Sequence, residues 1–457
     1  MAINKSKRTM SIIFFFGIIV MFSSVSLLAA NAAFIVNNEI YEGVAAAGIP
    51  LGGLSPAAAE KKLGTAFNNK ITGQQLTVTY KGQTWPITAE TFQPNIDTPA
   101  IVKQAYEAGR TGNIWQRLRD RYTIFTHGYS VPLYLNYDRQ KLTAAIEKIA
   151  GEINQEAQNA IIIEKGRELS IVPEVTGRKV DIEQTLTDLI DNLIKFNFEI
   201  PLAVTETTPT VLSSDLTDID GIIASYTTQF NPADTNRSHN VYLAAKSING
   251  LLVRSGELFS FNSVTGLRLA QYGYKIAPTY VNGELVPDWG GGVCQVSSTL
   301  YNAVLLADLA IVERTPHYHP PAYVPLGQDA TVADNTLDFK FKNTTGHNIY
   351  ISASTAGNKL TVTLYGKRNN NLVDIDIVAT DIQTLEPNTV IEQDPDLELG
   401  KKIITEPGQK GFIVTTCRVK SRNGKILERE ILATDEFKPI TRTVRLGTKV
   451  YTARGSK

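Results

Sequence analysis

An uncharged run at residues 10–36, built on "SIIFFFGIIVMF" and preceded by Lys5, Lys7 and Arg8, takes this chain to a membrane before any fold is considered. The run is long enough to span as a helix, so it reads as a signal-anchor with its basic end in the cytoplasm and everything after about residue 37 outside. "AANAA" at residues 29–33 also offers a small-residue cleavage site, which would release the chain outside the membrane. Nothing later is apolar enough to span again. The exported part has only Cys294 and Cys417, too few for a disulfide framework, so it must be held by apolar cores. With 457 residues, 43% of them apolar, the chain divides into about two to four domains. Lysine plus arginine equals aspartate plus glutamate at 45 each, and this balance argues against a nucleic-acid partner.

Up to about residue 212 a strand-and-helix order recurs twice. "GIPLGGLSPAAAEKKL" reads as a strand, a Gly-Gly turn and a helix with Ser55 as N-cap and Pro56 at its first position. A strand pair follows in each copy, then Asp97 or Asp181 ahead of an amphipathic helix. The expected fold class is therefore α+β multidomain: two repeated small α+β modules at 40–125 and 130–212, a mixed α+β domain at 225–366, and an all-β module at 373–453. A helix over "SHNVYLAAKSING" opens the third region, with Val241, Ala244, Ala245 and Ile248 on one stripe. In the last, "CRVKSRNGKILERE" reads as a hairpin around Asn423-Gly424, and alternation turns Cys417 inward with Ile413 and Val419.

The chemistry concentrates in "WGGGVCQVSSTLYNAVLLADLAIVERTPHYHP", residues 289–320. Val296, Leu300, Ala303, Val304 and Ala307 fall on one helical face, which predicts a helix over 295–308 with Cys294 at its start. Free N–H groups and the positive end of the helix dipole favour a thiolate there, and Gly290 to Gly292 let the backbone approach closely. His317 and His319 are the nearest candidate bases, Asp329 the nearest carboxylate to orient one of them, and Gln295 or a backbone N–H at the helix start could stabilise an oxyanion. Three readings stand: a cysteine nucleophile with its base; a buried small residue beside turn-forming histidines; and a zinc site, since histidines two apart on extended backbone face the same way, although a fourth ligand is missing. No motif requires a cofactor.

"GELFSFNSVTG", "YVNGELVPDWGGGVCQVSSTLYNAVLLADLAIVER", "PHYHPPAYVPLGQDATV" and "DFKFKNTTGHNIYI" together resemble the VanW domain, over roughly residues 225–366. The duplicated region before it is similar to the peptidoglycan-binding modules that often precede that domain, and the tail resembles the G5 domain, a β module of cell-wall proteins. The resemblance implies an exported, wall-facing protein whose partner is peptidoglycan or its glycan and peptide stems. It also adds weight to Cys294, His319 and Asp329, which match positions of the family motif. The chain departs from the family's His-x-His-Ser pattern at Pro320, which stiffens the loop directly after His319 and leaves open which histidine meets the thiol. Together with the apolar run, the resemblance implies a membrane-anchored, wall-associated protein with a possible cysteine-dependent amidase or transpeptidase-like activity, or a wall-binding scaffold without chemistry.

Overall fold

The computed structural model describes residues 38–71, 74–165, 168–281, 284–368 and 373–449, together with Met21. The apolar run at 10–36 lies, Met21 apart, outside the described residues, and among those residues no helix is long and apolar enough to cross a membrane. The chain forms two compact units. One runs up to Glu156 and includes Thr176–Thr207; the other comprises Ala157–Val175 and everything from Thr208.

The first unit contains helices α1 (Pro56–Ile71), α2 (Thr98–Glu107), α3 (Ile114–His127), α4 (Arg139–Ile153) and α5 (Ile182–Ile194). Their starts follow the expected caps. The Ser55 hydroxyl accepts from Ala58 N–H, Asp97 from Ala100 N–H and Asp181 from Gln184 N–H, each taking up a donor that the first helical turn leaves without a partner. The two repeats share strands. Val44–Ala46 pairs in parallel with Tyr129–Val131, and Gln75–Tyr80 in parallel with Glu199–Pro201. Two apolar cores result: Leu63, Phe67, Ile101 and Val131 belong to one, while Leu76, Val78, Leu142, Ile146 and Leu189 form the other.

In the second unit, Gly221–Gln229, Lys359–Gly366, Ile349–Ala356 and Leu251–Val253 form an antiparallel sheet in that order. Helices α6 (Thr235–Ile248) and α7 (Val293–Leu306) share its core, which includes Val241, Val296, Leu300, Val304, Phe339, Ile351 and Leu364. The hairpin Ile161–Lys165 with Glu168–Val172, read from sequence within the second repeat, sends Ile162, Leu169 and Ile171 against Tyr350, Tyr365, Val211 and Leu216 of this unit. Beyond residue 373 all the described regular structure is strand. Asn423 and Gly424 both take positive φ, as a two-residue hairpin turn requires, and Cys417 is buried and unpaired.

Candidate functional site

Helix α7 begins two residues earlier than its periodicity predicts, which makes Cys294 its second residue. The glycine run is a geometric necessity. A Cβ on Gly291 would lie 2.6 Å from the Ala277 carbonyl oxygen, and Gly292 caps the helix at φ +110°, where a Cβ would lie 2.9 Å from Arg237. Twelve of the helix's fourteen residues are buried, so its polar side chains must find partners inside the protein. Those partners come mostly from the stretch 328–332. Ser297 donates to the Ala330 carbonyl (2.6 Å), Ser298 accepts from Ala330 N–H (2.9 Å), and the Asn302 amide donates to the Gln328 carbonyl (2.7 Å). That alignment holds Asp329 beside the helix and sets the Val332 carbonyl 3.4 Å from the Cys294 sulfur.

Asp329 is fully buried and reads both the backbone and the ring of His317: its Oδ2 accepts from the His317 N–H (2.7 Å) and lies 2.6 Å from Nδ1. The His317 ring in turn lies close enough to the Cys294 thiol that each shifts the other's titration. With Nδ1 committed to the carboxylate, Nε2 is the nitrogen left for sulfur, and the Tyr323 hydroxyl stands 3.5 Å from it. Cys294, His317 and Asp329 are thus brought together in the order of a nucleophile, a base and an orienting carboxylate.

The electrostatics favour the charged pair. Burial alone would push the Cys294 thiol up, but the hydrogen bond and positive charge of His317 outweigh it and leave the thiol below its ordinary value. Burial likewise opposes protonation of His317, yet the hydrogen bonds from Asp329 and Cys294 raise its imidazole to about 9. Asp329 is held below the usual carboxylate range: burial works against it, and His317 and Arg314 prevail. Tyr323 is driven well above 10 by burial and by the neighbouring sulfur, so it stays a neutral hydroxyl. The lowered thiol and the raised imidazole together favour moving the proton from Cys294 to His317.

His319 and Gln295 are placed elsewhere. His319 Nδ1 is 2.7 Å from the Lys438 carbonyl, and Lys438 N–H returns a bond to the Tyr318 carbonyl, so this histidine ties its loop to the C-terminal β region. The Gln295 amide donates to Thr228 Oγ1 (3.0 Å) and to the Gln229 carbonyl (2.9 Å), and the first-turn N–H groups of Val293 and Gln295 donate to the Gly290 and Gly292 carbonyls (3.0 Å each). Among the described residues no group of three or more His, Cys, Asp or Glu could hold a metal ion.

Two residues that sequence reasoning did not single out complete the arrangement. Buried Arg314 donates through Nη2 to Asp329 Oδ1 (3.0 Å), through Nε to the Asp329 carbonyl (2.6 Å), and through Nη1 to both oxygens of buried Asp435 (2.6 Å each). The carboxylate behind the histidine is therefore braced by an arginine that the C-terminal β region itself holds. Arg314 carried a weak signal, a charge in the run "AIVERT" between the predicted helix and His317; Asp435 carried none.

Residues 236–365 match the family model described as VanW like protein, residues 85–199 the model described as "Putative peptidoglycan binding domain", and residues 377–449 the G5 domain. Protein YoaR of Bacillus subtilis (strain 168) is 36% identical over 270 residues, covering 58% of this chain and 88% of the relative. The vancomycin B-type resistance protein VanW of Enterococcus faecalis (strain ATCC 700802 / V583) is 36% identical over 115 residues, 24% of this chain and 42% of that protein. The solved IgA1 protease G5 domain matches at 27% identity with a TM-score of 0.14, over 18% of this chain and 98% of that one. The peptidoglycan-binding and G5 matches on either side of the central domain mark a cell-wall associated protein. With Cys294, His317 and Asp329 all inside the central match, and a relative aligned over most of its length, the chain belongs to the VanW-like family.

Proposed function

We propose that the 225–366 domain performs cysteine-dependent acyl transfer or hydrolysis on an amide of a wall peptide. The observation that carries this reading is the set Cys294–His317–Asp329 at the start of α7, in which Asp329 holds His317 and His317 couples to the thiol. The Cys294 thiolate attacks the amide carbonyl, and the positive end of the α7 dipole favours the developing oxyanion charge. His317 gives its proton to the departing amine as the carbon–nitrogen bond breaks, leaving a thioester. A second amine, or water, then attacks the thioester while His317 takes its proton, and the thiolate is restored. Asp329 keeps the ring in the tautomer and orientation that both steps need. His319 serves as a strut between its loop and the C-terminal region, not as the base.

The modules at 40–125 and 130–212 and the β domain at 373–453 would hold peptidoglycan, and residues 10–36 would anchor the protein as a single-pass membrane segment with its domains outside. The direct test is the pH dependence of Cys294 alkylation in native protein. The reading expects a midpoint below the ~8.5 of a free thiol and an upward move in His317→Asn. A wild-type midpoint at or above the free-thiol value, unchanged in His317→Asn, would leave only a binding scaffold.

A further inference from the structure

The described residues contain a second surface built for a partner, in the first unit. Helix α3 buries only Ile124 of its fourteen residues. Its large apolar side chains face outward: Trp115 is 77% exposed, Phe125 75% and Tyr122 69%, with Leu118 and Ile114 also open. Residues 115, 118, 122 and 125 are spaced i, i+3, i+7, i+10, and together with Ile114 they occupy an arc of about 100° at 3.6 residues per turn. Ile124 falls on the opposite side. The helix is amphipathic with its apolar stripe turned away from its own core.

The charges tell what covers that stripe. Arg119 and Arg121 border the arc on its two sides, and residues 110–127 hold four arginines against one aspartate, 4−1=+3. An outward apolar stripe rich in Trp, Tyr and Phe, flanked by arginines, suits the boundary between lipid headgroups and acyl chains, where aromatic rings settle and cations meet anionic lipid. Position in the chain agrees. The apolar run ends at residue 36, and Tyr41, five residues on, lies beneath Arg110 (3.9 Å) and Arg121 (4.5 Å), with Ile124 packed in the same core as Ile40 and Val44. At roughly 3.5 Å per extended residue, those five residues reach at most about 18 Å.

We propose that α3 lies in the surface of an anionic bilayer, its 114–125 stripe in the headgroup–acyl boundary, and so fixes the first unit against the membrane next to the anchor. This rests in part on reading residues 10–36 as membrane-inserted, and the experiment separates the two. The full chain is reconstituted with phosphatidylglycerol–phosphatidylcholine vesicles carrying bromine on the acyl chains. Flotation reports whether the chain associates at all; bromine quenching of tryptophan reports whether α3 is embedded. The expected result is quenched emission that disappears in Trp115→Phe, although Trp85 and Trp289 remain, and that weakens in Arg119→Glu/Arg121→Glu or in pure phosphatidylcholine. Flotation with quenching identical in wild type and Trp115→Phe would overturn the proposal while leaving the anchor. Failure to float would overturn both. A dimer in sedimentation that Trp115→Ser/Phe125→Ser dissociates, in the absence of quenching, would assign the stripe to a second copy of the chain instead.

Discussion

Helices α3 and α7 have the same length, fourteen residues, and opposite fates. In α7 even the serines, threonine and asparagine are enclosed and bonded; in α3 tryptophan and phenylalanine stand in the open. Apolar periodicity says which side of a helix avoids water, and says nothing about what will cover it. For α7 the cover is the rest of its own unit, and enclosure makes the thiol's environment possible. For α3 the cover has to come from outside the unit, and that absence of internal packing is its functional signal.

The largest effect should come from Cys294→Ala. It removes the proposed nucleophile, so amide turnover on wall peptide falls to background while circular dichroism stays near wild type; retained turnover would separate α7's enclosure from any chemistry. Next, Asp435→Asn takes one charge from a buried arginine, with an expected cost of about 3 kcal/mol in denaturant unfolding. It should also raise the alkylation midpoint of Cys294, since Arg314 then holds Asp329 less firmly. An unchanged midpoint would show that the bracing is structural only.

Gly291→Ala should destabilise the second unit by about 1–3 kcal/mol, because its Cβ would meet the Ala277 and Pro278 carbonyls. By contrast Asn113→Ala, which removes the N-cap accepting from Gln116 N–H, should cost α3 only about 1 kcal/mol. That loss should appear as faster amide exchange in α3, which has little packing to compensate. Equal protection of α3 in both proteins would mean something already covers it.

The pH dependence sharpens the same contrast. His317, raised to about 9, contributes stability that is present below about 6.5 and lost as pH rises through about 9. Cys294, held below its ordinary value, contributes stability that is present above about 8.5 and lost as pH falls through the lowered value of the folded thiol. Unfolding free energy should therefore decline as pH rises through about 9, and Cys294→Ala, which removes one of the groups that raise His317, should move that decline to lower pH; an identical profile in both proteins would count against the ion pair.

Much of this was legible in advance where local rules decide. The caps Ser55, Asp97 and Asp181, the Asn423-Gly424 hairpin and the helix starting beside Cys294 follow from spacing and residue type. Helix α3 has no counterpart among the expected elements: its stripe is regular, but a run bounded by "RTG" and bearing four charges reads as polar chain until its spacing is counted. The choice between His317 and His319 was equally hidden. Two positions apart on one loop they are interchangeable in pattern, and only Asp329 on one side and Lys438 on the other separates them.

The sequence by itself determined that a cysteine would stand at a helix start behind glycines, with histidine and aspartate following in order, because backbone conformation and periodicity act over a few residues. Only the tertiary structure decided which histidine meets the sulfur, that Gln295 is occupied elsewhere, and that Arg314 joins Asp329 to a carboxylate 106 residues further along. Those choices depend on which buried charges must neutralise one another. Burial makes that demand strong, and burial is settled only when distant segments close around the same space.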